Sequence, residues 1–318
     1  MSVSALVTEL TAAKGDSTMK FVINQWALIA IAAYFLLFMG GVVGIQIWKI
    51  KRRSERPPVA FKLLRGPGET LRQGVAKADE DWVSRLVYAS LVPVVAAWAV
   101  LGVFIKLLPT TPFSIEIVVT VLVFIATLVP AMRWAWRDLT RYRNDHLGYL
   151  GEREVAEQLQ PLLADGYRVF HDVPAEGAKT QFNLDHVTVG PTGVALIETK
   201  TRRKGRARPG FKDHEVEFDG HQLVWPWGED RHGIGQAINN AEWLEKWIFG
   251  RTGLKVPVKP ILTLPGWYVK EAPSPRLRVV NSKILADVIR GHGEITLTPE
   301  KIDLIARQLD DRCRDVVD

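Results

Sequence analysis

Residues 21–48 form an unbroken run of 28 positions without a single Asp, Glu, Lys or Arg. A helix rises 1.5 Å per residue, so about 20 apolar residues cross the hydrocarbon core of a bilayer. A chain carrying this run is expected to put a helix through a membrane. A cleavable signal peptide has a shorter apolar region with its basic residues in front. Here only Lys14 and Lys20 precede the run, whereas Lys49, Lys51, Arg52 and Arg53 follow it, the order of a stop-transfer segment. Two further apolar runs cover residues 86–105 and 113–132, the second with Glu116 near its outer end, where the carboxylate reaches the interface as an anchor. The expectation is an extracytoplasmic tail over 1–20 and an all-α transmembrane region over 21–135 with three spans, at 21–48, 86–105 and 113–132.

The formal net charge of +6 is unevenly placed. Residues 49–85 hold 10 Lys+Arg against 5 Asp+Glu, and residues 133–318 hold 28 against 27. The basicity is therefore a topology signal and not a sign of nucleic-acid binding. The basic loop 49–85 and Arg133, Arg137, Arg141 and Arg143 mark the cytoplasmic side, which places the N-terminus outside and the C-terminal half in the cytoplasm of an inner-membrane protein. The one cysteine, Cys313, can form neither an internal disulfide nor a cysteine-based zinc cluster, in keeping with a reducing compartment. Trp26, Trp48, Trp98, Trp134 and Trp136 fall mostly near span ends. Charged residues are absent from the span interiors, which argues against a small transporter or receptor.

Residues 136–318 read as a soluble domain, with its core at about 148–265. Residues 151–163 have helical spacing of Val155, Ala156, Leu159, Leu162 and Leu163, and Glu152 lies on the same apolar face. A carboxylate there needs a partner. Residues 167–173, 182–189 and 193–200 have the pattern of strands, the last two joined by a tight reversal at Gly190, Pro191, Thr192 and Gly193. If Val189 faces Val194, successive pairing brings Asp185 opposite Glu198, and the period of two puts Lys200 on the same face. Opposed carboxylates about 5 Å apart repel by roughly 3 kcal/mol at an effective dielectric near 20. A divalent cation reverses that sign. Asp185, Glu198 and the carbonyl of Thr199 offer oxygen ligands suited to Mg²⁺ or Mn²⁺, with Lys200 placed to orient water and offset charge in a transition state.

The sequence Gly151-Glu152, then Leu184-Asp185-His186-Val187, then Ile197-Glu198-Thr199-Lys200 resembles the PD-(D/E)xK nucleases, and more narrowly the nuclease-related (NERD) domain. Gln236, opening a helix with Asn240, continues the likeness, which covers about 148–258. The resemblance implies an α/β restriction-endonuclease-like fold, a mixed sheet flanked by helices. It implies a Mg²⁺-dependent hydrolase of DNA, with RNA the alternative substrate. In that reading Asp185 and Glu198 are metal ligands, Lys200 is the catalytic lysine, Glu152 an accessory acid and Gln236 a site-facing residue. Leu184 stands where the superfamily name has proline.

Arg202, Arg203, Lys204, Arg206, Arg208 and Lys212 leave the catalytic strand with no acidic residue among them, a stretch suited to phosphate contact or to anionic lipid. Trp225 and Trp227 are expected to pack in a core or loop before they stack on bases, and His186 points to the face of its strand opposite Asp185. The alternative to an enzyme is a catalytically inactive, membrane-tethered module of the same fold that binds nucleic acid or regulates. A homo-oligomer is neither required nor excluded by these features.

Overall fold

The computed structural model describes residues 63–108, 110–177, 181–291 and 297–316, together with a few helical positions between 33 and 44. The first expected span, 21–48, otherwise lies outside the described residues. The chain divides into two compact units, one of Met1–Pro58 and Asp79–Leu139, the other of Val59–Ala78 and Thr140–Asp318.

In the first unit, α1 (Glu69–Leu107) and α2 (Phe113–Leu159) are the long helices, each continuing into the second unit. Both are long and apolar enough to cross a membrane, and the most apolar window of α2 is not buried inside the protein at all. Leu107, Leu122, Met132 and Val118 stand exposed along them. Pro93 and Pro130 lie inside these helices.

The second unit is built on a five-stranded mixed sheet of order β10-β8-β4-β3-β2. In chain order its strands are β2 (Arg168–Glu176), β3 (Gln181–Gly190), β4 (Gly193–Thr199), β8 (Val258–Thr263) and β10 (Arg278–Val280). The β3–β4 hairpin pairs Val189 with Val194 and runs in register to His186 with Ile197. β8 lies parallel to β4, and β10 parallel to β8. Mixed strands flanked by helices give the α/β architecture of a nuclease-like domain.

Alternation along β4 sorts its side chains between two cores. Val194 and Leu196 pack with α3 (His232–Thr252) and α5 (Pro299–Cys313), through Leu244, Ile248, Ile305 and Leu309. Ala195 and Ile197 pack on the other face with Val155 and Leu159 of α2, and with Leu285 and Ile289 of α4 (Leu285–Arg290). A smaller sheet of order β7-β6-β5-β9 closes a third core around Phe218, Trp225 and Trp267; its strands are β5 (Glu215–Phe218), β6 (Leu223–Trp225), β7 (Gly228–Asp230) and β9 (Tyr268–Glu271).

Two elements differ from the sequence reading. The helix expected over 151–163 is not separate. It is the end of α2, because nothing between Arg133 and Gly151 breaks a helix and the charged stretch simply continues the turns, after which Gln160–Asp165 tightens into a 3-10 helix ended by Gly166 in the left-handed conformation. The second lies in the expected basic loop 49–85, whose described residues, from Leu63 on, include regular structure. Within it β1 (Leu63–Leu64) pairs antiparallel with β11 (Arg314–Val316), and α1 begins at Glu69.

Leu196 is fully buried in the central strand, whereas Leu304 on α5 is 41% exposed. Leu196→Ala is expected to cost about 2–5 kcal/mol and lower the unfolding midpoint by several degrees, while Leu304→Ala shifts stability by under about 0.5 kcal/mol. Thermal unfolding of the detergent-solubilised chain, followed by tryptophan fluorescence, compares the two.

Candidate active site

Strict alternation fails at one place in the sheet, and the acidic residues gather there. Phe170 and Val173 of β2, and Leu184 and Val187 of β3, all bury in the same core, although each pair is three residues apart. The register does not slip, since His171 pairs with His186 and Val173 with Leu184 on either side. The strands instead turn over between those pairs, at Asp172 and Asp185. Asp172 supplies the pivot: its φ of 48° is in the left-handed region, which costs most residues energy but which aspartate tolerates better than most. Beyond His186 and Ile197 the β3–β4 ladder also stops. There the Thr199 N–H donates to Asp185 Oδ2 at 2.7 Å, so the carboxylate takes over a backbone partner from the sheet.

Glu198 follows as the next-to-last residue of β4 and is 1% exposed. Its Oε1 accepts from Lys200 Nζ at 2.8 Å, and its Oε2 from Asn240 Nδ2 at 3.2 Å. Lys200 Nζ also donates to Gln236 Oε1 at 2.9 Å. Gln236 and Asn240 are one helical turn apart on α3, so both reach the end of β4. Glu152 arrives from the other side, on α2. The chain after Lys200 presses against that helix at Gly151, where any Cβ would stand 1.9 Å from Thr201 Oγ1; glycine leaves room for the Thr201 side chain.

Glu152, Asp185 and Glu198 thus lie close enough to act on one another's charge, with Glu198 paired to the Lys200 ammonium, and all three carboxyls are pushed up from their ordinary range. Burial lifts Glu152 to about 8, helped by the nearby carboxylates of Asp172 and Glu198, while the Gly68 backbone opposes the rise. Burial, then Glu198 and Glu152, raises Asp185 well above its usual value. Burial also raises Glu198, against the pull of Lys200 and Asn240.

Among the described residues, no three His, Cys, Asp or Glu side chains stand as a ready cation cage. Carboxylates are drawn instead to Lys200, Asn240 and the Thr199 amide. The donor chemistry still fits a hard divalent cation, because the set is all oxygen and Glu152 Oε2 is buried with no hydrogen-bond partner.

Asn240 joins the site although the sequence reading gave it no role, and its spacing of four from Gln236 was the available signal. Asp172, with Arg65, Thr70 and Asn183 around it, went unnoticed: nothing in a strand pattern marks one aspartate as a pivot. His186 lies on the far face, fully buried, with its Nδ1 2.8 Å from that of His171. Burial lowers His171 to about 4 and His186 well below its usual value, so the pair is neutral.

The basic stretch is exposed, but several of its charges are engaged. Arg202 pairs with Asp230 at 2.6 Å and Lys212 with Glu215 at 2.6 Å. Arg203 donates to Asn144 Oδ1 at 2.8 Å and to the Arg143 carbonyl. Arg208 lies over the Phe211 ring, Lys204 over that of Trp267, and Arg206 is exposed. Trp225 is buried and stacks on the half-exposed Trp227.

Residues 147–265 match the family model of the nuclease-related domain. No curated protein and no solved structure matches the chain.

A carboxyl raised in the folded state binds its proton more tightly there than in the unfolded chain, so it stabilises below its unfolded pKa and loses that contribution as pH rises through the folded one. The lowered histidines act the other way but only below about 6.5, their unfolded value. With divalent ions chelated, the unfolding midpoint should therefore fall between about pH 6.5 and 8.5 as Glu152 ionises near 8. Glu152→Gln should flatten that fall. A parent midpoint that rises across this window would contradict the buried-acid account.

Proposed function

We propose that this protein is a membrane-anchored, metal-dependent nuclease that hydrolyses phosphodiester bonds of DNA, with RNA as the alternative substrate, at the cytoplasmic face of the membrane. The observation that carries this reading is the clustering of Glu152, Asp185 and Glu198, the last paired with Lys200, within a stretch that matches the nuclease-related domain. Clustering three buried carboxyls makes each harder to ionise, and acids perturbed in this way gather where chemistry is done.

Asp185 and Glu198 would hold a Mg²⁺ or Mn²⁺ ion with the Thr199 carbonyl, and Glu152 would stand beside it. Such an ion, when bound, supplies Lewis acidity and lowers the pKa of water. Lys200, kept in place by Gln236, would orient the attacking water and offset charge on the phosphoryl oxygens. Hydrolysis joins the water oxygen to phosphorus, breaks the bond to one ester oxygen, and leaves that oxygen with a proton. The exposed Arg206, and the arginines and lysines near it, would contact the backbone phosphates, giving affinity that weakens with salt. A second reading, an inactive module of the same fold that binds nucleic acid or regulates, is supported by one observation: Lys200 already compensates Glu198 without a cation.

Membrane anchoring rests on α1 and α2, many of whose apolar side chains are left exposed, as suits helices that face lipid. The intramembrane prolines agree with this, being better tolerated there than in soluble helices. The chain should remain with membranes through carbonate extraction. In sealed vesicles of defined orientation, protease should reach the C-terminal domain only from the cytoplasmic side. Release by carbonate would refute the anchor.

The activity test uses the full chain in detergent with supercoiled, linear and single-stranded DNA and with RNA, plus Mg²⁺, Mn²⁺ or chelator. Cleavage is expected with metal only, and Asp185→Ala and Lys200→Ala should each lower it by at least about 100-fold, as loss of charge stabilisation in a transition state does. Equal cutting by parent and variants would end the enzyme reading, and salt-sensitive binding without cutting would favour the inactive module.

A further inference from the structure

We propose that the strand and turn of Leu63–Thr70, which lie outside the stretch matched to the nuclease-related domain, are a working part of the acid site: Arg65 and Thr70 clasp Asp172 as a positioning residue, and Gly68 closes the near side of Glu152. The inference rests on the nuclease reading for its functional meaning and on geometry for its substance.

Asp172 is buried at 4% exposure and sits at the pivot where β2 and β3 turn over, next to Asp185 by register. A buried carboxylate in left-handed backbone persists only if its surroundings over-determine it. Those surroundings come from about 100 residues earlier in the chain. Arg65 Nη1 meets Asp172 Oδ2 at 2.5 Å, the Thr70 N–H donates to the same oxygen at 2.9 Å, and the Thr70 hydroxyl donates to it at 2.7 Å. Asn183 Nδ2 donates to the other oxygen at 3.0 Å and also to Thr70 Oγ1. Arg65 donates to Thr70 Oγ1 as well, at 3.0 Å, which ties the clasp together.

Gly68 makes a second, separate connection. Its φ of 65° suits glycine, and a Cβ there would stand 2.9 Å from the Tyr149 ring and 3.5 Å from Glu152 Oε2, the oxygen that has no partner. The turn is therefore packed directly on the acid that faces Asp185 and Glu198. The backbone of this segment is held at its other end by β1, paired with β11, and by the Arg65 N–H donating to the Cys313 carbonyl at 3.0 Å. A staple needed only to hold chain ends together would stop at β1. This one extends to the two carboxylates nearest the site.

The test uses the full chain in detergent and Arg65→Ala, Arg65→Lys, Asp172→Asn and Thr70→Val. Asparagine tolerates left-handed backbone, so Asp172→Asn removes the charge while keeping the pivot. Outer-shell partners of metal ligands typically change metal affinity or activity by roughly 10–100-fold, so Arg65→Ala and Asp172→Asn should raise the Mg²⁺ concentration for half-maximal cleavage by about that factor. The KM for DNA at saturating Mg²⁺ should stay within about two-fold, because the clasp touches no substrate. Arg65→Lys should restore most of the loss, and Thr70→Val should shift in the same direction by less.

Hydrogen exchange without metal gives a readout independent of cleavage. Arg65→Ala should speed exchange at residues 66–72 and also at the Thr199 amide, which donates to Asp185. Faster exchange confined to 63–72, or a Mg²⁺ response in Thr70→Val identical to the parent's, would reduce the segment to a staple and overturn the inference. If the parent cuts nothing, the nuclease reading fails, and the exchange at Thr199 alone decides whether the clasp reaches the acid cluster.

Discussion

Burying Glu152, Asp185 and Glu198 near one another sets like charges where water screens them poorly, and the local architecture is arranged to make that tolerable. Each carboxylate is supplied with donors from a different element. Asp185 takes a backbone amide that the ladder has released, Glu198 takes a side chain from α3 and the lysine two residues on, and Glu152 has the turn at Gly68 against it. Glycine at 151 leaves room beside Glu152 for the Thr201 side chain, so that the chain leaving Lys200 passes close to α2.

The sheet meets this demand by giving up regularity at one point. A flat hairpin would set Asp185 square against Glu198 and leave both facing the apolar core of Leu196 and Leu244. Turning β2 and β3 over at Asp172 and Asp185 keeps the hydrophobic residues on either side buried, while the aspartates move to where the strands part. The energetic cost is one residue in left-handed backbone and a shortened ladder, modest beside that of an unpaired buried charge.

How much of this could be read from the chain follows from the range of the interactions. The pairing of Val189 with Val194 was legible because a period of two and a four-residue reversal are local facts. So was Glu152, since its place on the apolar face of a helix is fixed by spacing alone. The helix itself was cut too short, because hydropathy marks where a chain is buried and not where its backbone hydrogen bonds end, and α2 passes through charged and apolar stretches alike. Asp172 and its partners were illegible. Arg65 and Asp172 are 107 residues apart, the aspartate carries no pattern of its own, and the segment around Arg65 looked like one more basic loop.

On the nuclease reading, protons and a divalent cation would compete for the same oxygens here. With no cation, burial favours the protonated form, and the orphaned Glu152 Oε2 shows that the protein has not provided enough donors for every carboxylate oxygen. Adding protein donors would remove the deficit, but it would also fill the space and satisfy the lone pairs that a metal requires. On the nuclease reading, that shortage of protein donors would leave Asp185 and Glu198 able to hold a divalent cation in place of protons. Lys200 limits how far that incompleteness can go: its ammonium compensates Glu198, and Gln236 offers it a second acceptor. On the nuclease reading, that second acceptor would keep Lys200 in place to act on water when Glu198 serves as a ligand.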